Sequence, residues 1–431
     1  MQRNYRPVVL LLLYATALQS LAFEASGPRL IARAARPGAG LIDPPIQPWF
    51  PKAPPLPEPS GPVIRVATVP ELVKALRQAP EGGTILLADG YYLLKHFIEI
   101  KTDGLCLRGE SGRRENVVID GAKSRDGELV WITACSGVTI ADLTIQNIRW
   151  NGFKINSETS VQDLTIYNCI IHNIWQRGVK GVKVPPANRQ AIRPKNCRIR
   201  YCLFYNDRPK RLSDDSHDIA GGNYIGGIDV MYPRDWVISD NVFVGINGRT
   251  REARGAIFLW HDARDCIVER NIIINCDAGI CLGNPHRPKD VVIHCTGCIV
   301  RNNFVANATE GGIVPVYTKD CKILNNTVFE HNSRLGRLIR IVFDNDGLVV
   351  ANNLLAGPRI RIESESRITF IGNIEEAPTD TLVNPAQGDL HLLPGAREAI
   401  DKAVELPEVT DDIDGHARGE SPDIGADELN P

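Results

Sequence analysis

Three stretches decide the fold: Val268-Glu269-Arg270-Asn271-Ile272, Val300-Arg301-Asn302-Asn303-Phe304 and Leu324-Asn325-Asn326-Thr327-Val328. Each closes an alternating apolar strand, turns at asparagine and reopens on an apolar step. Working outward, the pattern recurs at Asn147, Asn168, Asn241, Asn353 and Asn373, with Cys202 in the asparagine place of Arg200-Tyr201-Cys202-Leu203-Phe204. Successive copies lie 20 to 39 residues apart, which marks a repeat of one short unit with loops inserted into some copies. Asparagine suits such a corner because it tolerates the left-handed turn conformation and its amide can both donate and accept. Rungs stack about 4.8 Å apart, so like side chains form a ladder. The asparagines are therefore structural. The predicted architecture is all-β, a right-handed parallel β-helix over residues 63–393.

Bulk composition agrees. Glycine (37) and proline (29) are frequent and aromatics few (6%), as turn-rich β proteins require. A solenoid lengthens by adding rungs, so 431 residues need not split into several cores. A net charge of −2 excludes a general nucleic-acid binder. Residues 1–22 read as an export signal: Arg3 and Arg6 precede an apolar run from Pro7 to Ala17, and Ser20-Leu21-Ala22 offers a cleavage site. No membrane span is expected after its removal. Residues 23–62 form a proline-rich linker. Val69 to Ala79 has Leu72, Val73, Leu76 and Ala79 on one face and predicts a helix capping the first rung. Residues 394–431 are a tail packing on or capping the β-helix. Most of the eleven cysteines lie in strand patterns and read as buried small hydrophobes, with Cys295-x-x-Cys298 the best disulfide or metal candidate.

The repeat, the entry helix and the start Gly82-Gly83-Thr84-Ile85-Leu86-Leu87-Ala88-Asp89-Gly90-Tyr91 resemble the pectate-lyase-like superfamily of right-handed β-helix proteins. Residues 411–427 (DDIDGHARGESPDIGAD) are similar to a C-terminal signature of its exported bacterial members. The resemblance implies fold over roughly residues 63–427. It does not fix activity, because that superfamily holds lyases, hydrolases, epimerases and non-enzymes.

The longest inserted rungs lie between Asn168 and Asn303, so chemistry is sought there. Alternation turns Lys154, Lys180, Asp229, Phe258 and Arg340 outward on one face, with Trp260 two positions along its rung. His261, Asp262, His286 and Tyr317 fall at strand ends beside it. Between Gln176 and Leu212 eleven basic residues, Lys180 and Lys183 among them, face one acid, Asp207. That reads either as a solvated surface or as an anion groove. Asp214, Asp215 and Asp218 follow directly and are candidate calcium ligands; no other cofactor is indicated.

These residues frame an exported carbohydrate-active protein, secreted, periplasmic or on the cell surface, working as a monomer on an acidic polysaccharide or other glycan. Uronate β-elimination needs the carboxylate neutralised and a base; Lys180, Lys183, Arg254 and His261 answer that, with Asp229 among the catalytic candidates. Lys154, Lys183, Trp260, Asp262, His286 and Tyr317 are the candidate substrate contacts. The alternatives are a non-catalytic glycan-binding surface protein and a glycoside hydrolase, for which Asp214, Asp215, Asp229 and Asp262 could supply the two carboxylates. The ordered acidic motifs of polygalacturonase-like hydrolases and the calcium set of alginate and chondroitin lyases are not found.

Overall fold

A computed structural model describes residues 46–330 and 337–429. The export signal predicted over 1–22, and the predicted linker as far as residue 45, lie outside the described residues. The chain winds into three parallel sheets of twelve, ten and twelve strands, each strand pairing with its counterpart one coil on. One coil shows the pattern. Ile267–Glu269 lies in the first sheet, Ile272–Ile274 in the second and Ala278–Leu282 in the third. Inward residues such as Val268, Ile273 and Ile280 are buried and share one continuous core.

Between the first and second sheets the turn has two residues, and they divide the work expected of one asparagine. The leading residue is left-handed: Asp240, Arg270, Asn302, Asn325 and Asn352 have φ of 46° to 59°. The following residue, Asn241, Asn271, Asn303, Asn326, Asn353 or Asn373, points inward and makes the ladder. Asn303 Oδ1 accepts from Asn271 N and Nδ2, both at 3.0 Å, while Asn303 Nδ2 donates to Asn326 Oδ1 at 2.9 Å. It also donates to Val268 O and Arg301 O. Two assignments shift accordingly. Asn168 takes the left-handed place, with Cys169 behind it, and Asn147 belongs to the next corner, where Asn173, Asn275 and Asn307 are also left-handed.

The entry helix α1 (Val69–Gln78) has Thr68 as its N-cap, with a reciprocal bond to Glu71. It buries Leu72, Ala75 and Leu76, closing the first coil. Upstream, the described part of the proline-rich segment is docked: Tyr167 Oη donates to Pro54 O at 2.7 Å, and Phe50 is buried. The C-terminal segment runs along the asparagine corner. Asn302 Nδ2 donates to Asp411 O, Asn325 Nδ2 to Asp423 O and Asn352 Nδ2 to Val404 O. All eleven cysteines are free thiols, ten of them buried, so Cys295 and Cys298 serve as core residues. No helix among the described residues is long and apolar enough to cross a membrane.

Removing the Asn303 carboxamide orphans the buried donors Asn271 N and Nδ2 on one side and takes a donor from Val268 O, Arg301 O and Asn326 Oδ1. Asn303→Ala is expected to cost about 2–4 kcal/mol by urea denaturation, against about 1 kcal/mol for Asn373→Ala at the ladder's end. Equal, small losses would contradict the ladder's role.

Candidate functional site

Alternation on the third sheet places Trp131, Lys154, Lys180, Asp229 and Phe258 in one outward column, because each pairs in register with the next. Trp260, at the end of the Phe258 strand, turns back over it: its Nε1 donates to Asp229 Oδ1 at 3.0 Å. Lys180, Asp229 and Trp260 therefore share one face. The column is not a row of free groups. Asp229 is buried between Arg177 Nε at 2.7 Å and Lys180 Nζ at 3.0 Å. Burial pushes the Asp229 carboxyl up, but Lys180 and Arg177 outweigh it and hold it at about 2. Lys154 pairs with Glu128 at 3.2 Å and lies over the Trp131 ring, which stacks on Phe97.

His261 occupies the corner leaving the third sheet, in a left-handed conformation at φ 55°. It is 6% exposed, its ring lies 3.8 Å from Trp260 and 5.4 Å from His294, and neither ring nitrogen has a partner. Burial, then His294 and Lys183, pull its pKa down to about 4. His294 comes from the next coil, and its Nδ1 accepts from His261 N at 3.1 Å. The ring contacts continue to Tyr317, which stacks on Phe343 and carries the Arg287 guanidinium at 3.8 Å.

The remaining predicted residues separate from this centre. Arg254 and His286 are exposed on inserted loops, and Lys183 is exposed but close enough to act on His261. Asp262 is held by Arg193 at 3.1 Å and Arg264 at 2.8 Å. Beside it, between the loops around Arg189 and Val291, lies a cavity of about 490 Å³.

The calcium expectation is corrected. Asp218 and Asp215 hold the buried Lys210 ammonium at 2.6 and 3.3 Å, and Asp214 grips Arg208 with both oxygens. An internal cation thus fills the place proposed for the metal, and Asp215 fastens the loop to the third sheet through Trp150 Nε1 and Gln176 Nε2. Groupings of metal-ligating side chains occur elsewhere, in the C-terminal segment, as His391 with Asp414 and Asp427 and as Asp412 with Asp414 and His416. The anion groove is corrected too. Arg177, Lys180, Arg189, Arg193, Arg200, Arg208 and Lys210 each lie against a carboxylate. For Arg177, Lys180, Arg189, Arg193 and Arg200 those carboxylates come from other coils or loops, which a local charge count cannot see, whereas Arg208 and Lys210 pair with acids of their own loop.

Two groups escape the sequence reading. Trp131 sits in the alternation Val130-Trp131-Ile132 and was accessible to the same argument as Trp260. His294 is 33 residues from His261 across an insertion, and no local signal joins them.

Truncating one member of a buried ion cluster strands the others. Asp229→Asn is expected to lower stability in urea by about 3–5 kcal/mol. The exposed Lys183→Ala should stay within about 0.5 kcal/mol of the parent. A tolerated Asp229→Asn would show that the cluster is not coupled to folding.

No curated protein sequence matches the chain. Among solved structures it is similar to a pectate lyase, Pel9A, at 12% identity and a TM-score of 0.50, over 83% of this chain and 90% of that one. It is also similar to an alginate lyase from Paenibacillus sp. (13%, TM-score 0.39, 71% and 99% covered). A third is PfbA, a surface adhesin of Streptococcus pneumoniae (14%, TM-score 0.47, 70% and 86% covered). At such identities the likeness is one of fold. The family model described as "Right handed beta helix region" matches residues 128–355. With more than half its length matched, and three stacked parallel sheets to bear it out, the chain belongs to the right-handed β-helix family.

Proposed function

We propose that the outer face of the third sheet binds an acidic polysaccharide outside the cell and cleaves it by β-elimination. The observation that carries this reading is the His261 corner: a buried, neutral imidazole with both ring nitrogens unbonded, against Trp260, whose ring the Lys180 ammonium approaches at 6.0 Å. Trp131 and Trp260 flank the lysines along the column and, both half-buried, offer ring edges to sugars. In this reading His261 removes the proton next to the uronate carboxylate. Lys183, exposed, and the Lys180 ammonium offset the charge that builds on that carboxylate.

Hydrolysis is less well served. It needs a carboxyl that can donate a proton, yet Asp229 is held at about 2, and Asp214, Asp215 and Asp262 are engaged by arginine or lysine. A binding protein without chemistry is the second reading. What favours it is the internal pairing of most of the basic run, which leaves Lys183, Lys195, Arg198 and Arg211 without an ion pair among the described residues.

The test is absorbance of unsaturated uronates near 235 nm on alginate, pectate and glycosaminoglycans. His261→Ala should lower kcat/KM by about 10²–10⁴. Because the base works unprotonated, kcat/KM should fall as pH drops through about 4, the value to which burial holds His261. An acid limb near the ordinary histidine value would remove His261 from the role. Binding without absorbance on any polyanion would leave the second reading, and reducing ends without unsaturation would leave hydrolysis.

A further inference from the structure

The two ends of the solenoid differ. Helix α1 covers the first coil, whereas the last coil ends in two open edges, Arg361–Glu363 of the third sheet and Thr369–Ile371 of the first. Among the described residues no strand pairs beyond them. The C-terminal segment does not cover this end, since it turns down the asparagine corner, where Val404 N donates to Asn352 Oδ1. The consequence shows in the inward-facing side chains. Ile341 and Val350 are 0% exposed, while their partners one coil on, Ile362 and Phe370, are 50% and 43% exposed.

The open edge carries the sequence Arg359-Ile360-Arg361-Ile362-Glu363-Ser364-Glu365. Charges on an edge strand ordinarily repel a second strand. Here the sign reverses about Ile362. In-register parallel stacking would set arginine on arginine and glutamate on glutamate. Antiparallel pairing about a two-fold axis through Ile362 sets Arg361 opposite Glu363 of the partner subunit, and Arg359 opposite Glu365 of the partner subunit. The same pairing buries Ile362 on its own copy and brings the exposed Phe370 ends together. Since α1 blocks the other end, the contact closes as a dimer and cannot propagate into a filament.

We propose that two copies of this chain associate tail to tail through the last coil, with the Arg359–Glu365 edge as an antiparallel, self-complementary seam. This departs from the monomer expected at the outset and leaves the polysaccharide face of each copy free.

Sedimentation velocity on the purified protein up to about 100 µM tests it. A dimer is expected. Arg359→Glu and Glu365→Arg should each weaken it by about tenfold or more, by placing like charges together, and the double variant should recover within about threefold of the parent. Ile362→Asp should abolish it with unchanged far-UV circular dichroism. A monomer throughout the range overturns the proposal. So does a dimer indifferent to the single charge variants and to Ile362→Asp, which would place the interface elsewhere. The readout is independent of polysaccharide cleavage, so failure of either idea leaves the other standing.

Discussion

A buried carboxamide has to be bonded on both its donor and its acceptor side, and this requirement organises the molecule. Each asparagine from Asn241 to Asn373 finds its second partner only in the coil above or below. A strand slipping by one residue would strand those amides in the core and would turn every outward side chain inward. Register is thereby fixed along the C-terminal half of the solenoid. In the N-terminal half, Cys169 and Cys202 occupy the same place, so apolar packing takes over that task there.

Fixed register converts a linear sequence into columns, and the column on the third sheet is the functional surface. Its charges are settled within the protein. Arg177 and Lys180 share one strand and Asp229 lies on the next coil, where its single carboxylate is held between both cations away from water and leaves a net charge of about +1. Such a cluster gains little net stability over apolar packing, because desolvation opposes attraction, but it holds Lys180 and Trp260 in one geometry. The inserted loop that follows is pinned similarly, by Lys210 between Asp215 and Asp218. What remains responsive to a ligand is a short set: the half-buried edges of Trp131 and Trp260, the exposed Lys183 and the unbonded imidazole of His261.

Much of this was legible in the residues. The asparagine turns identify the solenoid, and alternation places Lys154, Lys180, Asp229 and Phe258 together, because both signals are local and periodic. The division of labour within each turn was hidden, since Asn302 and Asn303 look alike until one bonds to the C-terminal segment and the other to the ladder. Charge was misread for a related reason. The partners of Arg189, Arg193 and Arg200 are Asp290, Asp262 and Asp240, which lie a coil or more away. Likewise, the carboxylates that resembled a calcium site close on Lys210 and Arg208, a pairing that depends on how the loop folds.

Residue-resolved hydrogen–deuterium exchange tests the ladder's primacy most directly. The backbone amides of Asn241, Asn271, Asn303 and Asn326 each donate to the asparagine side chain of the next coil. They are predicted to exchange as slowly as core-strand amides such as that of Val300, through global opening alone. Exchange as fast as that of the exposed loop amides at Ala220 and Gly221 would contradict the account, because the ladder would then be a passenger of the packing around it.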